Sequence, residues 1–189
     1  MGKIDTKTAL LNCAQDLVQK VGVNAMSYND LSEAVGIRKA SIHYHFPKKD
    51  DLIEALQQKC MVEYCERYMI VVDSDLSAPD KLRKLTDIYI NTLNGRKLCL
   101  VAMLSAEYET LSDRLRELME QSVITTTRIY EKIFIKGIAD GELLSCDDTF
   151  DAAYAFFSFL MGGHIIARCS GGEKALRRAS EIYINKLTA

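Results

Sequence analysis

Between Gly36 and Lys49 the chain places Arg38, Lys39, Lys48 and Lys49, two histidines (His43, His45) and the hydroxyls of Ser41 and Tyr44, with no carboxylate. Cations grouped this closely release counterions when they meet a phosphate backbone, which makes such binding steeply salt-dependent. Lys39 stands beside the small Ala40 and Ser41, a setting in which an ammonium can approach guanine O6 and N7. Tyr44 and His45 suit backbone contacts that fix register without reading sequence. The competing reading of the same run is a solvated basic turn on an ordinary helical protein. Catalytic chemistry has little to stand on, because GxGxxG, P-loop, GxSxG and HExxH patterns are all missing. Glu107 and Glu109 are two apart on a helix and do not converge. Metal binding fares no better. Cys60 and Cys65 are five apart, as are His164 and Cys169, so each pair points to different helix faces. No metal, no cofactor and no enzyme activity are expected.

The elements that must hold this run are short helices. Leu11, Ala14, Val18 and Val21 step by 3, 4 and 3 along a first helix, capped by Asp5 or Thr6 and stopped at Gly22. Ser27 opens a second, with Asp30 three residues on as the partner of a capping box; Leu31, Ala34 and Val35 form its inner face and Gly36 ends it. Lys39 to Phe46 is a third helix, stopped by Pro47. Two short helices joined by a glycine-containing turn form a helix-turn-helix, in which the second helix enters the major groove. Ile42 and Phe46 are left for the core, while Arg38, Lys39, Ser41, His43, Tyr44, His45 and Lys49 are left for the outside.

The run LSEAVGIRKASIHYHFPKKDDLIEAL resembles the N-terminal signature of the TetR family of bacterial repressors. Gly36, Ile42, His45-Phe46-Pro47, Lys49 and Leu52 all fall at the family's spacing, over about a quarter of the chain. The resemblance implies an all-α protein. Residues 1–48 would be a three-helix DNA-binding domain and residues 49–189 a larger helical domain for ligand binding and dimerisation. It also implies roles by position. Ser27 and Tyr28 open the helix that touches phosphate, and Lys39, Ala40 and Ser41 face bases. His43 and Tyr44 fill the aromatic pair, and His45 and Lys49 sit at phosphate-contacting positions. His43 departs from the tyrosine usual there.

The rest of the chain reads as longer helices, with breaks at Val72–Asp75, Asn94-Gly95, Asp140-Gly141 and Ser170-Gly171-Gly172. Phe150 to Arg168 is apolar nearly all round, which argues for burial on more than one side. Gly162-Gly163 within it suits a close helix–helix approach. With the stripe Leu176, Ala179, Tyr183 and Leu187, the last two helices are the expected homodimer interface. By resemblance, the middle helices hold a pocket for a small-molecule inducer. Its candidate lining is Tyr64, Tyr68, Tyr89, Cys99, Met103, Tyr108, Tyr130, Phe134, Phe157, Met161 and His164. The segment CLVAMLSAE, Cys99–Glu107, further resembles the electrophile-responsive, NemR-type branch of the family. Cys99 would then be a redox-sensing thiol, with its pKa lowered by Arg96 and Lys97. The alternative is a buried, inert cysteine.

Composition fits this reading. The chain has 189 residues, is 48% hydrophobic and 26% charged, and carries two prolines, which excludes disordered and collagen-like classes. The formal net charge is −2, but residues 1–60 hold 8 Lys/Arg against 7 Asp/Glu while the remainder holds 16 against 19. Six scattered cysteines suit a reducing cytosol, and a cytoplasmic location is expected. No apolar run is expected to span a membrane. Gly2 loosely fits a myristoylation pattern, which is set aside because helix is expected from Ile4 onward. The reading is a homodimeric transcriptional repressor, released from a palindromic double-stranded DNA operator by a small molecule or a thiol-reactive electrophile. The alternative is a helical ligand-binding or adaptor protein without DNA binding.

Overall fold

Asp5 accepts from the backbone amides of Lys7 and Thr8 and so closes the open end of the first helix. From there the computed structural model describes residues 5–189; Gly2 and Ile4 of the N-terminal reading lie outside them. The described residues form nine α-helices: α1 (Thr6–Val21), α2 (Tyr28–Val35), α3 (Lys39–His45), α4 (Lys49–Val72), α5 (Ala78–Leu93), α6 (Leu100–Ala106), α7 (Asp113–Ala139), α8 (Thr149–Cys169) and α9 (Gly172–Leu187). A 3-10 turn, Tyr108–Thr110, follows α6. Among the described residues the only extended pairing recorded is an isolated bridge between Leu143 and Thr188.

By packing, the chain divides into two compact units, one made of residues up to Val62 with Cys99–Gln121, the other of Glu63–Leu98 with Ser122–Ala189. The first unit contains α1 to α3. Its core gathers Leu10, Ala14 and Val18 of α1, Leu31 of α2, Ile42 of α3 and Phe46 just beyond, with Leu52, Ile53 and Leu56 of α4. Two details differ from the periodicity reading. The buried stripe of α1 starts at Leu10, with Leu11 half-buried and Val21 exposed. Ala34 of α2 faces out, leaving Leu31 as that helix's one fully buried residue.

In the second unit, α5 packs against both α8 and α9, and α8 against α9. Ser77 caps α5, with Pro79 in its first turn. Arg83 of α5 pairs with Asp80 and with Glu181 of α9, and Arg177 of α9 pairs with Asp87. Lys81 is buried because its ammonium donates to Val72 O, the last carbonyl of α4, at 2.7 Å. Gly163 lets α8 approach α9: a Cβ there would stand 2.9 Å from Leu176 Cδ1.

Helix α8 is long and apolar enough to cross a membrane by length and composition, contrary to the expectation that no run qualifies. Burial explains part of that composition. Ala153, Phe156, Phe157, Leu160, His164 and Ala167 face the unit's core, while Tyr154, Ile165 and Ile166 are exposed.

Candidate nucleic-acid interface

Helix α2 begins with a complete capping box. The Asp30 amide donates to Ser27 Oγ, and the Ser27 amide donates to Asp30 Oδ2 at 2.8 Å. These bonds with Ser27 hold the Asp30 carboxyl below its ordinary pKa, with smaller help from Lys39 and Lys49. The cap fixes where α2 starts, and Gly36 fixes where it ends. Ser32 Oγ then donates to Ile37 O at 2.6 Å and closes the turn into α3.

Helix α3 is seven residues long, with Ile42 fully buried and Phe46 buried at its end. These two side chains anchor it. Arg38, Lys39, Ala40, Ser41, His43 and Tyr44 are all exposed, and Tyr44 at 83% is the barest large side chain of the helix. The outer face is therefore the one the sequence predicts. Lys39 and His43 line an open groove with Lys49 and with Ser27, Tyr28 and Asn29 at the first turn of α2. Lysines gathered beside the first turn of a helix give this groove a positive side.

Three of the predicted side chains also have structural roles that the spacing does not reveal. The Tyr28 hydroxyl lies 2.9 Å from Phe46 O and 2.7 Å from Lys48 O, so its single proton is shared between the carbonyls that follow α3. Burial, with Asp51 and Asp50 adding, pushes its pKa up to about 12. The phenol is a brace for the chain that follows α3. Lys49 donates to Met26 O at 2.6 Å, which spends one of its three protons inside the fold. His43 sets its ring edge against Tyr28, centroids 4.9 Å apart, with Nδ1 3.3 Å from Pro47 O. His45 is half-buried beside Tyr44.

The residues expected to line an inducer pocket fall into both units. In the second unit, Tyr68 of α4, Tyr89 of α5 and Tyr130 of α7 join their hydroxyls in one buried chain, 2.9 Å at each link. Phe157 sets its edge on Tyr130, and His164 sets its edge on Tyr89 at 5.8 Å. His164 is wholly buried and neither ring nitrogen has a hydrogen-bond partner. Burial drives its pKa down to about 4, with Arg168 adding, so the ring is neutral at physiological pH. Phe134 is buried against Phe156; Tyr64 and Met161 are half-buried, Tyr64 beneath Arg67.

In the first unit, Met103 is buried and Tyr108 is exposed under the Arg116 guanidinium. Cys99 caps α6, its Sγ accepting from Ala102 N at 3.4 Å. Arg96 and Lys97 do not lower its pKa, contrary to the expectation from their adjacency in sequence. The thiol is buried, and desolvation pushes its pKa up to about 12. A thiol held protonated and away from water is a poor nucleophile.

These features match known proteins over most of the chain. The family model for bacterial regulatory proteins of the tetR family matches residues 10–56, and that for the tetracyclin repressor-like C-terminal domain matches residues 78–183. The HTH-type transcriptional repressor KstR2 of Mycolicibacterium smegmatis is 24% identical over 152 residues, 78% of this chain and 71% of that protein. KstR2 of Rhodococcus jostii is 27% identical over 84 residues, 44% of this chain and 41% of that protein. A TetR transcriptional regulator from Legionella pneumophila has the same fold, with a TM-score of 0.89 at 26% identity over 99% of this chain and 100% of that one. Reduced NemR of E. coli superposes with a TM-score of 0.84 at 22% identity over 98% of each chain, a likeness of fold alone. An outward-facing recognition helix on an all-α frame defines a DNA-binding transcriptional regulator. The chain belongs to the TetR family.

Proposed function

We propose that this regulator is a cytoplasmic, homodimeric repressor that holds a palindromic operator through two copies of α3 and releases it when a small molecule binds. The observation that carries the reading is the division of α3 itself. Ile42 and Phe46 are sunk in the core, while Arg38, Lys39, Ser41 and Tyr44 stand in solvent with no core left to fill. Lys39 and Ser41 would face base edges. The groove beside them, bounded by His43 and Lys49, would take a phosphate.

One such helix reads too few bases to select a site, so a symmetric pair is needed. The exposed side of α8 supplies a surface for pairing. Tyr154, Ile165 and Ile166 are bare, Gly162 opens onto empty space, and Ile182 of α9 is bare as well. Apolar side chains left bare along one side of so long and apolar a helix are those that a second copy would bury.

The inducer's polar partners would be His164 and the Tyr68–Tyr89–Tyr130 chain. A buried imidazole with neither nitrogen satisfied is costly, and a ligand hydroxyl or carbonyl would relieve it. The neutral ring and aromatic surroundings favour an uncharged, largely apolar compound. Gel shifts with the DNA upstream of the chain's own gene, at two salt concentrations, test the reading. A shift that weakens steeply with salt supports it, and no shift at either concentration refutes it.

A further inference from the structure

The α1–α2 turn that delivers Ser27 and Tyr28 is held by a carboxylate from a distant part of the sequence. Glu107, the C-cap of α6, accepts from Val23 N at 2.7 Å and from Asn24 N at 3.3 Å through each oxygen. Asn24 Nδ2 donates to Thr110 Oγ1 at 2.9 Å, and Thr110 Oγ1 donates back to Glu107 O at 2.8 Å. Gly22 completes the cradle. Its φ is +90°, and a Cβ built there would collide with the Glu107 carboxylate. The turn is shaped to admit that carboxylate.

The far side of Glu107 is equally fixed. Arg116 of α7 donates to Tyr108 O at 3.2 Å and to Glu109 O at 2.9 Å, and its guanidinium lies 5.2 Å over the Tyr108 ring. The segment carrying Glu107 is thus braced from behind. At its other end α6 begins at Cys99 and buries Leu100, Ala102, Met103 and Leu104. A single helix therefore has one end set in the core of its unit and the other clasped to the turn entering α2.

We infer that Glu107 is a positioning residue for DNA binding: its carboxylate clasp on the Val23 and Asn24 amides fastens the helix-turn-helix to α6 and sets the angle at which α2 and α3 meet the duplex. The inference rests on the repressor reading above. Charge-assisted bonds to backbone amides are among the stronger single contacts a protein makes. Without them, the turn between α1 and Met26 keeps its chain connectivity and loses its anchor.

The test compares the parent with Glu107→Ala, Glu107→Gln and Arg116→Ala, none of which alters a DNA-facing side chain. The readouts are affinity for duplexes covering the DNA upstream of the chain's own gene, amide hydrogen exchange, and thermal unfolding. Glu107→Ala is expected to weaken DNA binding about ten-fold at temperatures far below its melting transition. It is also expected to speed exchange at Val23 and Asn24 while leaving the α3 amides and the salt slope of binding unchanged. Glu107→Gln keeps an acceptor oxygen and restores part of the affinity, and Arg116→Ala gives a smaller loss than Glu107→Ala. A purely structural role would lower the melting temperature and leave affinity alone. Affinity within about two-fold of the parent, or unchanged exchange at Val23 and Asn24, overturns the inference. A parent that shifts none of the duplexes overturns the repressor reading, and this inference with it.

Discussion

Helix α3 keeps its apolar anchors inside and its chemistry outside, whereas the second unit hides its chemistry among apolar walls. In α3 the exposed Lys39, Ser41 and Tyr44 face water, and only His43 among the exposed polar side chains is arranged by the fold, against Tyr28 and Pro47 O. In the second unit, three phenols and an imidazole sit where water does not reach, and each hydroxyl needs a partner from another helix. Mutations in the first region should change binding with little effect on stability. Mutations in the second should change stability first.

The largest effect expected belongs to His164. Its folded pKa is depressed to about 4 from the ordinary 6.5, so between those values the unfolded chain takes up a proton that the folded chain refuses. Stability should be complete above pH 6.5 and fall by about 3 kcal/mol as the pH drops to about 4. Asp30 and Asp80, with lowered pKa values, act in a separate window: their contribution is lost only as pH falls below the ordinary 3.8. Urea unfolding from pH 4 to 7 should therefore show a slope that His164→Phe flattens. An unchanged slope in that variant would assign the acid sensitivity elsewhere.

Next in size is the pair Arg38→Ala with Lys39→Ala. Removing both exposed cations should weaken DNA binding by about a hundred-fold and lower the salt slope. The melting temperature should barely move, because neither side chain is buried. A large stability loss with an unchanged salt slope would erase the contrast between the two regions.

Tyr89→Phe tests the other side of the contrast. It removes the central hydroxyl, so Tyr68 and Tyr130 each lose the bond they made to it. The expected cost is about 2 kcal/mol in urea unfolding, with DNA affinity unchanged. The smallest effect is expected at Cys99. Cys99→Ser should leave the response to quinones equal to the parent's, because the buried, protonated thiol does not take part. Release that the serine variant abolishes would contradict this.

The first region was legible because it is local. Ser27 and Asp30 form their capping box three residues apart, and Ile42 and Phe46 turn inward at helical spacing, so the in-and-out division of α2 and α3 can be read within one short stretch. The second region is assembled from α4, α5, α7 and α8, and no spacing within one helix reveals that Tyr68, Tyr89 and Tyr130 share a hydrogen-bonded chain. Aromatic candidates could be collected from the sequence but not joined. Cys99 shows the same limit from the other direction. Arg96 and Lys97 are adjacent in sequence, yet burial outweighs them and raises the thiol's pKa. Tyr28 and Glu107 carry roles set by backbone groups 18 to 84 residues away, which no periodicity reports.

The central claim is that α3 is presented for the major groove of duplex DNA, in symmetric pairs. A nuclease footprint of the purified protein on the DNA upstream of its own gene tests it most directly. The expected footprint is a protected palindrome whose half-sites lie about 34–36 Å, one helical turn, or a multiple of that, apart, with protection lost in the Arg38/Lys39 double variant. Protection without two-fold symmetry, or protection that survives the loss of both cations, would contradict it.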